Sequence, residues 1–160
     1  MFNGQIRFAV PEDVPVILQF IRNLAKYEKL ENEVVATESL LTEWIFEKKK
    51  AEVLLVFDQE RPVGYALFFH NFSTFLGRAG IYLEDLFVLP DQRGKGYGKA
   101  LLKFLAKLTL ERGCGRLEWS CLDWNKPSLG FYHSIGAKPM HGWTVQRLAG
   151  KDLSDFAQEK

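Results

Sequence analysis

One stretch decides the fold that this sequence predicts: Val88-Leu89-Pro90-Asp91-Gln92-Arg93-Gly94-Lys95-Gly96-Tyr97-Gly98-Lys99. It follows a β-rich run at 81–88 and precedes an amphipathic pattern at 99–112, with Gly113 where a helix C-cap is expected. Glycines let the backbone approach a ligand closely, and the N–H groups at a helix N-terminus attract phosphate oxygens. The stretch therefore predicts a strand, an anion-binding turn and a helix.

Two other glycine-rich nucleotide sites do not fit this stretch. A P-loop needs four residues between its first glycine and a Gly-Lys pair that Ser or Thr follows, whereas only three separate Gly94 from Gly98 and Ala100 follows Lys99. The dinucleotide fingerprint G-x-G-x-x-G differs from the G-x-G-x-G spacing of Gly94, Gly96 and Gly98. The remaining structural alternative is a loop that only turns the chain.

The hydrophobic periodicity around this stretch predicts the element order β-α-α-β-β-β-α-β-α-β in one domain, residues 1–160. The fold class is an α/β (α+β) sandwich whose mixed, mostly antiparallel central sheet is flanked by helices on both faces, with one β-α-β crossover. Thr37 is a predicted helix cap, and 71–80 is a predicted loop. The predicted strands are 5–10, 53–57, 63–69, 81–88, 116–122 and 143–148, and the predicted helices are 14–25, 37–45, 99–112 and 128–135.

Composition excludes several classes of protein. A net charge of +1 over 160 residues gives no general field for nucleic acid. The apolar runs are too short to span a bilayer, and no secretory signal opens the chain, so we expect no membrane association. The two cysteines, Cys114 and Cys121, favour a reduced, cytoplasmic setting.

Several motifs together resemble one superfamily. Arg93-x-x-Gly96-x-Gly98 resembles the pyrophosphate-binding signature of the GNAT N-acetyltransferases. The stretches 24–28, 82–85 and 123–125, with Phe131-Tyr132, resemble its spermidine/spermine (diamine) acetyltransferase subfamily, and Ser73-Thr74 with 122–125 is most similar to thialysine acetyltransferases. The resemblance covers nearly the whole chain. It implies a GNAT-like sandwich, acetyl-CoA as co-substrate, no metal, and a homodimer.

The predicted acetyl-CoA site combines the glycine-rich turn with the strand before it. The backbone amides of Leu86 and Val88 are candidates to face the thioester. Asn125 resembles the family asparagine that contacts the cofactor arm, although an Asx turn before Pro127 is an alternative. The candidate cofactor-binding residues are Leu86, Phe87, Val88, Arg93, Gly94, Lys95, Gly96, Tyr97, Gly98, Lys99 and Asn125.

Glu84 and Asp85 interrupt an apolar run, where an unpaired buried charge is costly. An internal ion pair with Arg7, His70 or Arg116 is the structural explanation. The functional one assigns Glu84 to accept the amine proton, directly or through water, and Asp85 to hold a cationic substrate. Adjacent strand residues face opposite sides, so both reach one site only if a bulge breaks the pleat, as the resemblance implies.

Amide formation from a thioester also needs an acid for the departing thiolate. Tyr132, in Gly130-Phe131-Tyr132-His133, resembles the family's catalytic tyrosine, and His133 is a second candidate. Without the resemblance, Tyr132 would be interpreted as a core aromatic residue. The mechanism expected from these residues is direct attack of the amine on the thioester in a ternary complex.

Substrate-binding candidates complete the predicted site: Tyr27, Glu28, Glu84, Asp85 and Trp143. Family polyamine enzymes carry further acids where this sequence has Ser73-Thr74-Phe75 and His141, so the predicted acceptor is a primary amine of a small cation, either a short diamine, thialysine or another lysine-like amine. The competing hypotheses are a protein N-terminal or lysine acetyltransferase and a non-catalytic CoA-binding module.

Overall fold

The computed structural model describes residues 2–159. The chain divides after Ser120 into two compact units, and each is described by itself. None of the helices between residues 2 and 159 has both the length and the apolar composition that a bilayer span requires.

The first unit contains a five-stranded sheet in the order β1-β2-β3-β4-β5. The first four strands pair antiparallel, and β5 pairs parallel with β4 after a helical crossover. This confirms the predicted mixed, mostly antiparallel sheet and the β-α-β unit. Its elements are β1 Gln5–Phe8, α1 Val14–Tyr27, α2 Glu38–Leu41 with a π-helical segment Thr42–Glu47, β2 Glu52–Asp58, β3 Arg61–Ser73, β4 Arg78–Val88, α3 Tyr97–Glu111 and β5 Leu117–Trp119.

Both faces of β2 are buried. Val53 and Leu55 of β2 pack with Ile17 and Phe20 of α1 in one core cluster. Since side chains alternate along a strand, Leu54 and Val56 point to the opposite face of the sheet. On that face α3 contacts β2, β3 and β4. The continuous apolar run of β2 is therefore explained by helices on both faces of the sheet.

Local signals at helix ends are confirmed. The Thr37 side chain accepts a hydrogen bond from the Leu40 N–H at 3.2 Å, as its position before α2 predicts. Gly113 follows α3 with φ = 69°, a left-handed conformation that favours glycine after a helix.

The predicted loop at 71–80 is wrong, because β3 continues to Ser73 and β4 begins at Arg78. Asn71 pairs with Gly80 and Ser73 with Arg78, so a long hairpin replaces most of the loop. The polar residues misled the prediction because an antiparallel strand with one solvated face tolerates them. The predicted strand at 116–122 is shorter than expected and is limited to Leu117–Trp119.

The second unit contains two helices, α4 Lys126–Ser134 and α5 Gly150–Gln158. The helix predicted at 128–135 is confirmed, whereas the strand predicted at 143–148 is wrong: residues 143–149 form neither helix nor strand in the described chain. Trp143 and Val145 are 83% and 80% exposed, so these apolar side chains do not form the buried face of a strand. A strand also needs a partner for its backbone groups, which alternation alone does not supply.

Candidate active site

A β-bulge interrupts β4 at Glu84. Leu83 pairs with Phe68 and Asp85 pairs with Leu67, so three residues of β4 oppose two of β3. Glu84 is the extra residue and is exposed, whereas Asp85 is half-buried. The predicted bulge is confirmed, and it lets consecutive acidic residues depart from strict alternation.

Asp85 is anchored from the neighbouring strand. The Tyr65 hydroxyl donates a hydrogen bond to Asp85 Oδ2 at 2.6 Å. Burial raises the pKa of the Asp85 carboxyl, and the bond from Tyr65 partly opposes that rise. The pKa of the Tyr65 hydroxyl is in turn raised by its burial and by the negative charge of Asp85.

Glu28 lies immediately after α1, and both acids of the bulge affect its pKa. Burial raises the pKa of Glu28, and the charges of Asp85 and Glu84 raise it further. Three carboxyl groups therefore share one electrostatic environment, in which a cation would relieve their mutual repulsion. We call Glu28, Glu84 and Asp85 the acidic cluster.

The basic residues considered as ion-pair partners for the bulge have other partners. Arg7 forms an ion pair with Asp13 at 2.7 Å, and Arg116 forms one with Glu118 at 2.8 Å. His70 Nε2 lies 3.3 Å from Arg112. The structural explanation for Asp85 is thus not an ion pair with one of these three residues.

Past the bulge, β4 has one edge that β5 does not cover. The parallel ladder with β5 includes only Ile81, Tyr82 and Leu83, and within the described residues no strand pairs with that edge of 84–88. Leu89 donates its N–H to Val63 on the β3 side at 2.9 Å. By alternation, the N–H groups of Leu86 and Val88 point away from β3, as a backbone site for a ligand carbonyl requires.

The glycine-rich turn leads into α3 with its first N–H groups available. Gly94 and Gly96 have φ values of 78° and 92°, which L side chains rarely adopt. Gly96 occupies the N-cap without a side-chain cap, and Ala100 donates the first intrahelical bond to its carbonyl at 3.0 Å. The N–H groups of residues 97–99 have no intrahelical acceptor, so the turn has the donors that a pyrophosphate requires.

Arg93 connects this turn with the end of α1. Its Nε donates to the Val88 carbonyl at 3.0 Å. Its guanidinium carbon lies 4.6 Å from the centre of the Tyr27 ring and 5.4 Å from that of Phe87. Arg93 thereby brings Tyr27 at the end of α1 and the last residues of β4 next to the glycine-rich turn.

The other predicted site residues belong to the second unit. Asn125 accepts a hydrogen bond from the Ser128 N–H at 3.4 Å and caps α4, in place of the Asx turn that was the structural alternative. Tyr132 is a half-buried residue of α4 whose ring centre lies 5.7 Å from that of Phe131. Trp143 lies in the exposed segment between α4 and α5.

Tyr65 is a residue near the acidic cluster that no sequence motif identifies. It stands in an apolar run, Val63 to Phe69, and is fully buried. A buried tyrosine needs a hydrogen-bond partner, and this requirement is the only signal that pointed to a nearby polar group. Among residues 2–159, no group of three or more His, Cys, Asp or Glu side chains is arranged to hold a metal ion.

Comparison with known proteins identifies the family. Residues 18–137 match the Acetyltransferase (GNAT) family. The chain is 36% identical to the thialysine N-epsilon-acetyltransferase of Bos taurus over 95% of this chain and 96% of that protein. It is 31% identical to L-ornithine N5-acetyltransferase NATA1 of Arabidopsis thaliana over 94% of this chain and 86% of that protein.

The fold has a matching relative among solved structures. An integron cassette protein from the mobile metagenome of V. cholerae superposes with a TM-score of 0.82 at 26% identity, covering 99% of this chain and 100% of that one. With the glycine-rich turn, the bulged strand and the family match in agreement, the chain belongs to the GNAT family of acetyltransferases.

Proposed function

We propose that this acetyltransferase transfers the acetyl group of acetyl-CoA to a primary amine of a small cationic substrate. The acidic cluster carries this proposal, because Glu28, Glu84 and Asp85 create negative potential beside an uncovered strand edge. An ammonium group is the ligand that this potential favours.

The residues present fit the pyrophosphate and thioester of acetyl-CoA. Residues 93–99 would hold the pyrophosphate through backbone N–H groups, supported by the left-handed glycines and the uncapped start of α3. The outward N–H groups of Leu86 and Val88 would bind the thioester oxygen, with Phe87 between them, and Asn125 would contact the cofactor arm. No metal takes part in this proposal.

The chemistry we propose is direct attack in a ternary complex. Glu84 accepts a proton from the acceptor ammonium, directly or through water, and the resulting neutral nitrogen forms the new bond to the acetyl carbon. The carbon–sulfur bond breaks, Tyr132 supplies the proton for the departing thiolate, and the second proton that the nitrogen loses as the amide forms restores the Tyr132 hydroxyl. Asp85, Tyr27, Glu28 and Trp143 contribute substrate contacts.

The acceptor we propose is a short diamine or a lysine-like amine. The names of the relatives support this choice, since they act on thialysine and on ornithine. The tip of the β3–β4 hairpin, Thr74 and Phe75, and the later His141 carry no carboxylate for an additional ammonium. Losing two partly desolvated charge contacts would shift preference by tenfold or more.

We further propose one N-acetyltransferase domain over residues 1–160, a cytoplasmic location and a homodimer. The match over 18–137 supports the single domain. The exposed Val145 and Phe156 supply apolar surface that a second copy would cover. Sedimentation of the purified protein over a range of concentrations tests the dimer directly.

The function is tested by specificity constants measured with saturating acetyl-CoA in one buffer. We expect thialysine, lysine, ornithine or 1,3-diaminopropane to exceed spermidine and an unstructured lysine-containing peptide by at least tenfold. A tenfold lead for spermidine or the peptide would contradict the small-amine assignment. No acetyl transfer to any of these amines would contradict the proposed function itself.

A further inference from the structure

We propose that Tyr65 is a positioning residue for the acceptor amine, because its hydroxyl holds one oxygen of Asp85 and leaves the other, Oδ1, to receive the ammonium. The inference rests on the proposed function, in which Asp85 contacts the cationic substrate. It adds a residue that lies in the core and does not itself touch the amine.

The geometry makes Tyr65 a rigid donor. Its side chain is 0% exposed. Its ring stacks on Phe20 of α1 with a centroid distance of 5.4 Å and an interplanar angle of 5°, and it shares the core cluster with Phe87 of β4. A fully buried, stacked ring cannot follow a mobile carboxylate, so the 2.6 Å bond fixes the carboxylate instead.

The regular strand register after the bulge determines that the two groups meet. Tyr65 pairs with Phe87, and the adjacent pair on the same face is Leu67 with Asp85. The hydroxyl therefore reaches Asp85 along a diagonal across the two strands. The bulge lies on the N-terminal side of Asp85 and leaves this register undisturbed.

The hydrogen bond from Tyr65 helps to keep Asp85 ionised in acidic surroundings. Two further charged side chains lie near Tyr65 and Asp85: Glu28, at the end of α1, and Glu84, on the same strand as Asp85. Both are acidic. Tyr65 supplies a neutral donor to a half-buried carboxylate, and it lowers the pKa of Asp85 against the effect of burial. Removing the hydroxyl is therefore expected to make Asp85 protonate at higher pH.

The test compares Tyr65→Phe with the matched variant Tyr82→Phe. Both substitutions remove one phenolic hydroxyl from the same sheet. The Tyr82 hydroxyl, however, forms its hydrogen bond with the Ser120 hydroxyl, at 2.8 Å, and not with a residue of the acidic cluster. The probe is 1,3-diaminopropane, whose binding is measured by calorimetry in the presence of CoA from pH 5.5 to 8. Its amines stay largely protonated over this range because alkylammonium groups titrate near pH 10.

For Tyr65→Phe we expect the Kd and KM for the diamine to rise about tenfold, with kcat changed less than about threefold and the Kd for CoA unchanged. The pH below which the diamine no longer binds should move upward. Tyr82→Phe should leave the Kd for the diamine, its pH dependence and kcat as in the wild type.

Unchanged diamine affinity in Tyr65→Phe would overturn the inference, and so would weaker binding without the shift in pH dependence. If Tyr65→Phe does not fold, Phe20→Leu provides the second test, since it loosens the stacked ring and keeps the hydroxyl. That variant should weaken diamine binding in the same direction, and wild-type affinity would contradict the inference. If the wild-type enzyme acetylates the diamine while these variants behave normally, the role of Tyr65 fails and the proposed function stands.

Discussion

Arg93 lies beneath the ring of Tyr27, with its guanidinium carbon 4.6 Å from the ring centre. This stack joins the residue that opens the R-x-x-G-x-G turn to the last residue of α1, next to Glu28. The surface proposed for the co-substrate and the surface proposed for the amine therefore share one contact. A change on the α1 side should be detectable in CoA binding.

Tyr27→Leu should weaken CoA binding about two- to fivefold, because an exposed cation–π contact contributes about 0.5–1 kcal/mol. Calorimetry with CoA alone measures this effect. Trp44→Leu is the matched control, since Trp44 stacks with Lys48 at 4.1 Å without touching the turn. Equal CoA affinity in wild type and Tyr27→Leu would show that the stack does not order Arg93.

Gly96→Val should reduce CoA affinity by about tenfold or more. The left-handed conformation at φ = 92° costs an L residue about 1–2 kcal/mol, and the relaxed backbone would redirect the N–H groups at the start of α3. Gly113→Val tests the specificity of this effect at the other end of the same helix. Both positions have positive φ and open space around an added Cβ.

Calorimetry and thermal unfolding should be measured on both glycine variants. We expect both to lose stability, but only Gly96→Val to lose CoA affinity. If the two variants bind CoA equally well, the pyrophosphate does not bind at residues 93–99.

Tyr132→Phe should slow acetyl transfer on the order of a hundredfold while the Kd for CoA stays unchanged. It removes a proton donor and almost no volume, and general acid catalysis contributes on this scale. Single-turnover rates with saturating acetyl-CoA and 1,3-diaminopropane report the chemical step. A near-wild-type single-turnover rate would remove Tyr132 from the mechanism.

Asp85→Asn should stabilise the protein at neutral pH while it weakens amine binding. Because burial raises the pKa of Asp85 in the folded state, the folded chain holds this proton to a higher pH than the unfolded chain, and stability falls as pH rises above about 4. Asparagine cannot ionise, so its advantage should be largest near pH 7 to 8 and should vanish near pH 4. A gain of roughly 1 kcal/mol corresponds to about 2–4 °C in Tm for a chain of this size.

Asp13→Asn is the control of opposite sign. The hydrogen bond from Arg7 lowers the pKa of Asp13, so this carboxylate stabilises the fold above its unfolded pKa and loses that effect as pH falls through its folded pKa. Asp13→Asn should therefore destabilise at neutral pH. Urea unfolding of both variants from pH 4 to 8 measures the two trends, and the same sign in both would contradict the explanation for Asp85.

Much of the first unit follows from local signals in the sequence. The apolar runs of β2 and β3 require cover on both faces, and the glycines at 94, 96 and 113 have the backbone angles that their positions at the ends of α3 predict. The contact between Tyr27 and Arg93 was not predictable from spacing, because strands β2, β3 and β4 lie between these two residues along the chain. Likewise, an apolar pattern around Tyr65 does not reveal which polar group its hydroxyl reaches.

The errors lie where periodicity is a weak signal. Asn71 and Ser73 are polar, yet they extend a strand whose partner residues lie directly across the hairpin. Residues 143–148 combine apolar and polar residues as an edge strand does, but a strand depends on a partner that sequence alone cannot identify. The bulge at Glu84 was expected from the family resemblance, since strand propensity does not identify an inserted residue.

The bulge also limits how the length of β4 can vary. Leu83 and Asp85 face opposite sides of the sheet because Glu84 adds one residue between them. Deleting position 84 would leave Leu83 opposite Phe68 and Asp85 opposite Leu67 in a regular ladder, so both halves of the strand would keep their faces. The strand would lose only the carboxyl group that we assign to accept the amine proton. In a lineage descended from this protein, we therefore expect length changes to accumulate at the hairpin tip, 74–77, and the residue at 84 to persist where acetyl transfer persists.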